Sequence, residues 1–303
     1  MNGLSKQSLA LPPFHDGEKA IQSRLGVRER VAQIGARFIR RFLPDQHRDF
    51  YANLGHIYVA ALDKTGAPWA SLLPGKPGFI TSPSDSGIEI HAPLPHGDAL
   101  DGQLKTGCKI ALLGIDLATR RRNRLNGLIS DKTDNRITID AEQSFGNCPK
   151  YIQRRQLEIT PPARPTQPIE ERDHLPSDLQ ALITQADIFF IASRSQDMDI
   201  RHENGLDISH RGGPPGFVTV VNPQTLTFED FPGNNFFNTL GNIQSDRRVG
   251  LLFLDFTKNR LIQITAWASI LWEAENRTIQ LDLKRILINP NITLTQTPLE
   301  KAK

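Results

Sequence analysis

Only two cysteines and two methionines occur in 303 residues, and this scarcity excludes several kinds of protein. Cys108 and Cys148 form no CxxC and match no zinc spacing. One disulfide between them stays open, yet this usage is that of a reducing compartment. No apolar run approaches the ~18 residues that span a bilayer. The N-terminus lacks the apolar stretch of a signal peptide. The cytoplasm is therefore the expected location, with no membrane partner. HExxH, GxSxG and GxxxxGK[ST] are absent, and no GxGxxG opens a βαβ unit, so a Rossmann cofactor domain is not expected. The eight histidines show no metal-ligand spacing. A strong charge of either sign is missing too. The net charge is +3, with a basic run at Arg120 to Arg122 and no interleaved aromatics. That suits an anionic small molecule better than a nucleic acid.

What is present reads as two globular units joined by an extended segment. The length fits two domains and a core that needs no staples. Residues 1–55 read helical: apolar positions from Val27 to Phe42 recur at steps of three and four, which predicts an amphipathic helix laid on an apolar surface. Pro44 stops it, and a short helix follows through Leu54. Residues 56–157 turn to short strands, at 57–62, 69–73, 78–81, 88–92, 109–117, 124–130 and 136–141, the pattern of a barrel or sandwich. Prolines 161, 162, 165, 168 and 176 mark 158–176 as a linker or crossover. Residues 177–303 begin with a helix ending near Gln185 and return to strands at Ile188, with 278–289 as a final added strand.

An internal repeat organises these strands. Lys76-Pro-Gly-Phe-Ile80 recurs as Pro214-Pro-Gly-Phe-Val218, and Ile88-Glu-Ile90 as Leu226-Thr-Phe228. Ala111-Leu-Leu-Gly-Ile-Asp116 recurs as Gly250-Leu-Leu-Phe-Leu-Asp255, and Asn123-Arg-Leu125 as Asn259-Arg-Leu261. The last match runs about three residues short of the others, which predicts a shorter connection in the second copy. Each copy then reads strand, strand, hairpin strand, helix, long buried strand, strand. Two such units can pack about a pseudo-two-fold axis and leave a ligand cleft between them.

Four segments carry candidate chemistry. Ser209-His-Arg-Gly-Gly-Pro-Pro-Gly216 combines a fixed cation with glycines that admit a close ligand; the alternative is a stiff loop with a surface arginine. Phe231-Pro-Gly-Asn-Asn-Phe-Phe-Asn-Thr-Leu-Gly-Asn242 leads into a helix predicted to start near Asn234. Its asparagines suit a phosphate or a polar ring edge at a helix N-terminus, beyond the one residue that capping needs. Arg120-Arg-Arg-Asn-Arg-Leu-Asn-Gly127 reads as a solvated hairpin tip or an anion site. Gln143-Ser-Phe-Gly-Asn-Cys-Pro-Lys-Tyr-Ile152 holds tight turns, a thiol, a cation and an aromatic ring.

Taken in order, these segments, with Val249-Gly-Leu-Leu-Phe-Leu-Asp-Phe256, resemble the pyridoxamine 5′-phosphate oxidase-like FMN-binding split-barrel family. The longer subgroup of that family also has Phe-His-x-Gly-Glu, here 14–18, and Pro-Asp-Gln-His-Arg, here 44–48. It further has Ala-Thr-Arg-Arg-Arg-Asn-Arg, here 118–124, and Gly-Asn-Cys-Pro-Lys-Tyr-Ile, here 146–152. The resemblance implies a mainly β chain of tandem FMN-binding split barrels with flanking helices, forming an internal pseudo-dimer. It implies FMN held through its phosphate by Arg211, with Ser209, Gly212, Gly213, Asn234, Asn235, Asn238 and Thr239 around it. Phe231 would line the cofactor. Gln263 would reach the flavin ring or the other unit. Arg122, Arg124 and Asn126 would approach from the first unit, or take an anionic substrate. The helix start carries Asn-Asn where the oxidase pattern has Ser and Lys, and the residues that recognise pyridoxal phosphate find no match.

The implied activity is flavin-mediated hydride or electron transfer to a small-molecule substrate. A separate electron donor, either a reductase or a nicotinamide nucleotide, would serve it, since the chain has no Cys cluster. A homodimer beyond the internal pseudo-dimer is compatible. The first unit lacks the asparagine cluster over 98–106 and has Ser71 where an arginine would help, so one FMN per chain is expected. His210 is the best candidate acid or base, as a histidine titrating near neutrality, against the alternative of a buried, structural histidine. Two rivals stay open: a non-catalytic flavin or haem carrier or sensor, and a deazaflavin-dependent reductase on the same fold.

Overall fold

The computed structural model describes residues 12–299, apart from 166, 200 and 275. Three helices come first: α1 (Asp16–Arg24), α2 (Arg28–Phe38) and α3 (Asp45–Ala52). The first sheet follows with β1 (His56–Leu62), β2 (Pro68–Pro74), β3 (Ile80–Thr81), β4 (Gly87–Ile90), β5 (Lys109–Asp116), β6 (Arg121–Lys132) and β7 (Ile137–Gly146). The crossover contains β8 (Arg155–Thr160) and β9 (Glu170–Arg172), then α4 (Ser177–Gln185). The second sheet has β10 (Ile188–Arg194), β11 (Leu206–Gly212), β12 (Val218–Asn222) and β13 (Thr225–Glu229). After α5 (Asn238–Ser245) it continues with β14 (Arg248–Asp255), β15 (Arg260–Glu273) and β16 (Asn276–Asn289), and β17 (Thr293–Pro298) closes the chain. Among the described residues no helix is long and apolar enough to cross a membrane.

The two sheets share one topology. Their orders are β2-β1-β5-β6-β7-β4-β3 and β11-β10-β14-β15-β16-β13-β12, all antiparallel. Both are curled half-barrels with flanking helices, which makes this a tandem split-barrel fold. Each half-barrel has its own core, around Trp69, Ile88 and Leu125 in one and around Phe189, Phe228 and Phe253 in the other. A third apolar cluster joins them. It explains why β1 and β10 are buried on both faces: one face fills the strand's own barrel and the other meets the second unit. At its centre Tyr58 stacks on Phe190, ring centroids 3.5 Å apart and planes 17° apart. These residues hold the same register, opposite Leu72 in one unit and opposite His210 in the other. A residue meeting its own counterpart marks the pseudo-two-fold axis.

Four expectations need correction. The hairpin turns are equal in length, because Asp116 faces Arg121 as Asp255 faces Arg260. The Asn-Arg-Leu match is therefore fortuitous, and Arg124 corresponds to Gln263: each faces the same leucine position, Leu113 or Leu252. The segment 98–106 forms turns in place of the predicted helix. Strand β16 is the counterpart of β7, and the added strand is β17, which pairs with β8. Helix α2 ends at Phe38 and buries only Val31 and Gly35, while Ile34, Phe38 and Phe42 are exposed. The chain leaves the helix there because Arg40 pairs in extended form with Ser144.

Candidate functional site

A cleft opens where β6 of the first unit meets β11 and the start of α5 in the second. Alternation along β6 puts Arg122 and Arg124 on one face, both aimed across the interface. Arg124 is engaged through both terminal nitrogens: it donates to Asp207 at 2.6 Å, to the Ile208 carbonyl at 3.0 Å and to Ser209 Oγ at 2.5 Å. Thr239 Oγ1 reaches the same serine at 3.2 Å. Arg124 thus clamps the units together and closes the floor of the cleft.

Among the described residues Arg122 has no carboxylate partner, and it donates to His210 Nδ1 at 3.2 Å. A guanidinium can only donate, so Nδ1 accepts and the proton of the neutral imidazole sits on Nε2. His210 stays neutral because burial, then Arg122, Arg211 and Arg155, hold its pKa well below the ordinary value. This corrects the expectation of a histidine titrating near neutrality. Burial, with Arg124 and Arg211 nearby, lowers Arg122 to about 10, so it keeps its charge at neutral pH. Arg211 pairs with Asp230 at 2.9 Å, and Arg277 holds the other oxygen of Asp230 at 3.0 Å. The family-implied phosphate arginine therefore already has a carboxylate, which it shares with Arg277, whereas Arg122 has none among the described residues.

Unsatisfied donors concentrate here. Arg122 Nε, Arg124 Nε, Arg211 Nε, His210 Nε2 and Asn147 Nδ2 are buried without partners, and all five residues line the cleft. Buried donors without acceptors are costly, about 1–3 kcal/mol each, so their grouping favours an acceptor-rich occupant.

The second unit supplies the helix end. Helix α5 starts at Asn238, four residues later than predicted, because Asn235 and Phe237 take left-handed backbone (φ 63° and 61°). An aromatic held in that conformation is strained, a feature common at ligand sites. No side chain caps α5, and Asn238, Thr239 and Leu240 at its first turn line the cleft with backbone N–H groups that have no intrahelical acceptor. Asn234 is exposed and accepts from the Phe236 N–H at 3.1 Å. The Asn238 side chain donates to Glu18 at 2.5 Å, so its amide serves the fold, not a ligand. Glu18 is buried, and burial followed by Asp207 raises its pKa well above the ordinary value. Helix α1 reaches this depth because Gly17 and Gly241 let two backbones touch: a Cβ on Gly241 would lie 2.5 Å from the Glu18 Cα.

The far wall is the turn after β7, with Asn147, Cys148, Lys150 and Tyr151. The Asn147 N–H donates to the Arg122 carbonyl at 3.0 Å and pins this turn to β6. Tyr151 has φ 64°, stacks on Phe231 at 5.2 Å and donates from its hydroxyl to the Pro232 carbonyl at 3.1 Å. Its own carbonyl explains Gly212, where a Cβ would come within 2.2 Å of that oxygen.

The cleft therefore gathers Arg122, Arg124, Ser209, His210, Arg211, Gly212, Phe231, Asn234, Asn235, Asn238 and Thr239. Three expected residues lie elsewhere. Gly213 sits beside Phe217 and donates to the Asp187 carbonyl. Asn126 donates to Asp207 at 3.0 Å and faces a separate polar cavity with His15, Lys109 and Glu142. Gln263 is fully buried, donating to the Ala70 carbonyl at 2.9 Å and accepting from the Ala99 N–H at 3.1 Å, so it reaches the other unit and not the cleft. Asp230, Phe237 and Asn147 were not expected; the Gly-Asn-Cys-Pro-Lys-Tyr cluster was the available signal for the last.

No known protein-family model matches the sequence, and no curated protein does. Solved structures match parts of it. The H111A variant of HupZ from Group A Streptococcus aligns at 14% identity and TM-score 0.29, over 38% of this chain and 98% of its own. A conserved protein of unknown function from Corynebacterium diphtheriae aligns at 12% identity and TM-score 0.28, over 41% of this chain and 98% of its own. An FMN-binding protein from Syntrophomonas wolfei aligns at 10% identity and TM-score 0.25, over 40% of this chain and 85% of its own.

Proposed function

We propose that the chain binds one FMN in the cleft between its units and works as a flavin-dependent oxidoreductase on a small molecule, with a separate electron donor. The observation that carries this reading is the set of buried, unpartnered donors around an uncompensated Arg122. A phosphate dianion supplies the acceptors they lack. Arg122, His210 through Nε2–H and the open first turn of α5 hold it, and Arg211 adds directionality from its pair with Asp230. Tyr151 and Phe231 offer an aromatic wall for a planar ring. When bound, the flavin supplies hydride or electron transfer.

The chain's own residues add orientation and charge more than proton transfer. His210 has one nitrogen occupied by Arg122 and carries its proton on the other, so it donates a hydrogen bond without acting as a base at neutral pH. The same tautomer argues against haem: ligation through Nε2 would require the ring proton to move to Nδ1, which would break the hydrogen bond from Arg122. A yellow protein that releases FMN on heating is the expected result. A colourless protein that does not quench the fluorescence of added FMN would overturn the reading.

A further inference from the structure

We propose that Cys148 is a redox-addressable thiol of this cleft: it exchanges with small anionic disulfides, and the adduct blocks entry of the phosphate ligand. The inference rests on reading the cleft as an anion site. Cys148 lies in the wall formed by the turn after β7, partly exposed, beside Lys150. Arg122 lines the same cleft. The independent sign of a ligand site is His210, 7% exposed, which lines the same cleft and whose Nε2 has no partner among the described residues. An anionic reagent drawn to these donors arrives next to the sulfur.

The exchange balances without another reactant. Cys148 releases its proton to solvent, and its thiolate attacks one sulfur of the disulfide. A new S–S bond forms, the original S–S bond breaks, and the other half leaves as a thiolate. Cys148 is oxidised and the reagent is reduced. The carboxylates of the adduct then occupy the space in front of Arg122 and Lys150.

Cys108 provides an internal control. It is exposed, lies in the turn before β5 and does not line the cleft. The purified protein is treated with glutathione disulfide or with neutral 2-hydroxyethyl disulfide, and adducts at each cysteine are followed by peptide mass spectrometry. The expected result is a preference for Cys148 over Cys108 of about tenfold with glutathione disulfide, falling towards parity with the neutral reagent. Arg122→Gln and the exposed Lys150→Gln should both reduce the preference, and inorganic phosphate or FMN should protect Cys148. Equal rates at the two cysteines, or the same ratio with the neutral reagent, would overturn the proposal. Selective exchange in a protein that takes up no FMN would remove the flavin reading and keep this one. FMN binding without selective exchange would do the reverse.

Discussion

The two half-barrels share their strand order but not their chemistry. At equivalent register positions, the cleft has Arg122 where the other unit has Leu261, His210 where it has Leu72, and Arg211 where it has Leu73. The clamp residues show the same asymmetry. Arg124 and Gln263 occupy equivalent positions and each donates to an equivalent carbonyl in the opposite unit, of Ile208 and Ala70. One is a buried ion pair with Asp207, and the other is a neutral amide. The duplication has kept the hydrogen bonds that join the units while assigning charge to one side only. The opposite side closes over Ser71, which donates to the buried Asp98. There burial, outweighing the hydrogen bonds from Ser71 and the Leu100 N–H, raises the Asp98 pKa to about 7.

This contrast can be broken in four places. Arg124→Leu should cost most, about 3–5 kcal/mol of stability in denaturant titration, because it leaves Asp207 buried and unpaired. A loss under 1 kcal/mol would mean that the clamp is not the ion pair. Asp98→Asn should change the pH dependence of stability on the first-unit side. Its folded pKa lies above the ordinary 3.8, so the stability present at low pH is lost as pH rises to about 7. The mutant should abolish that fall, on the order of 3–4 kcal/mol, and an unchanged thermal-melting profile against pH would contradict the assignment. Arg122→Leu copies the other unit into the cleft. FMN affinity should drop roughly 10- to 150-fold by fluorescence titration, with little change in melting temperature. An equal loss in Arg211→Leu alone, with Arg122→Leu silent, would return the phosphate to the residue that the family pattern suggests. Gln263→Leu should be mildest, about 1–3 kcal/mol, because it strands only a neutral carbonyl and an N–H. FMN binding should persist there.

Much of the architecture was legible because barrel strands declare themselves locally. The Gly-Phe-Val and Leu-Leu-Phe-Leu-Asp repeats mark the strands at their true spacing, and the two helices read between Val27 and Leu54 correspond to α2 and α3. The repeat misled where three residues matched by coincidence, at Asn259, and in placing a helix over 98–106, where the chain forms turns. The cleft was legible in composition: Ser209 to Gly212 and the asparagine run do line it. Partner choice was not legible, because it depends on contacts between distant residues. Nothing near Asn238 announces Glu18, nothing near Arg211 announces Asp230, and a histidine's protonation depends on arginines brought from another strand. The left-handed turns at Asn235 and Phe237 also shifted the helix start, and tertiary packing alone selects such backbone.

The hydrogen bond between Glu18 and Asn238 spans 220 positions of sequence. On a ribosome adding ~5–20 residues per second, the first partner waits roughly 10–40 s for the second. Until then α1 has no backbone at Gly241 to dock against, and the end of α5 that opens on the cleft does not exist. The cleft therefore cannot form before Asn238 has been made. A shorter product carries the first half-barrel without a cleft, so any occupant of the cleft is captured only by a chain whose synthesis has passed Asn238.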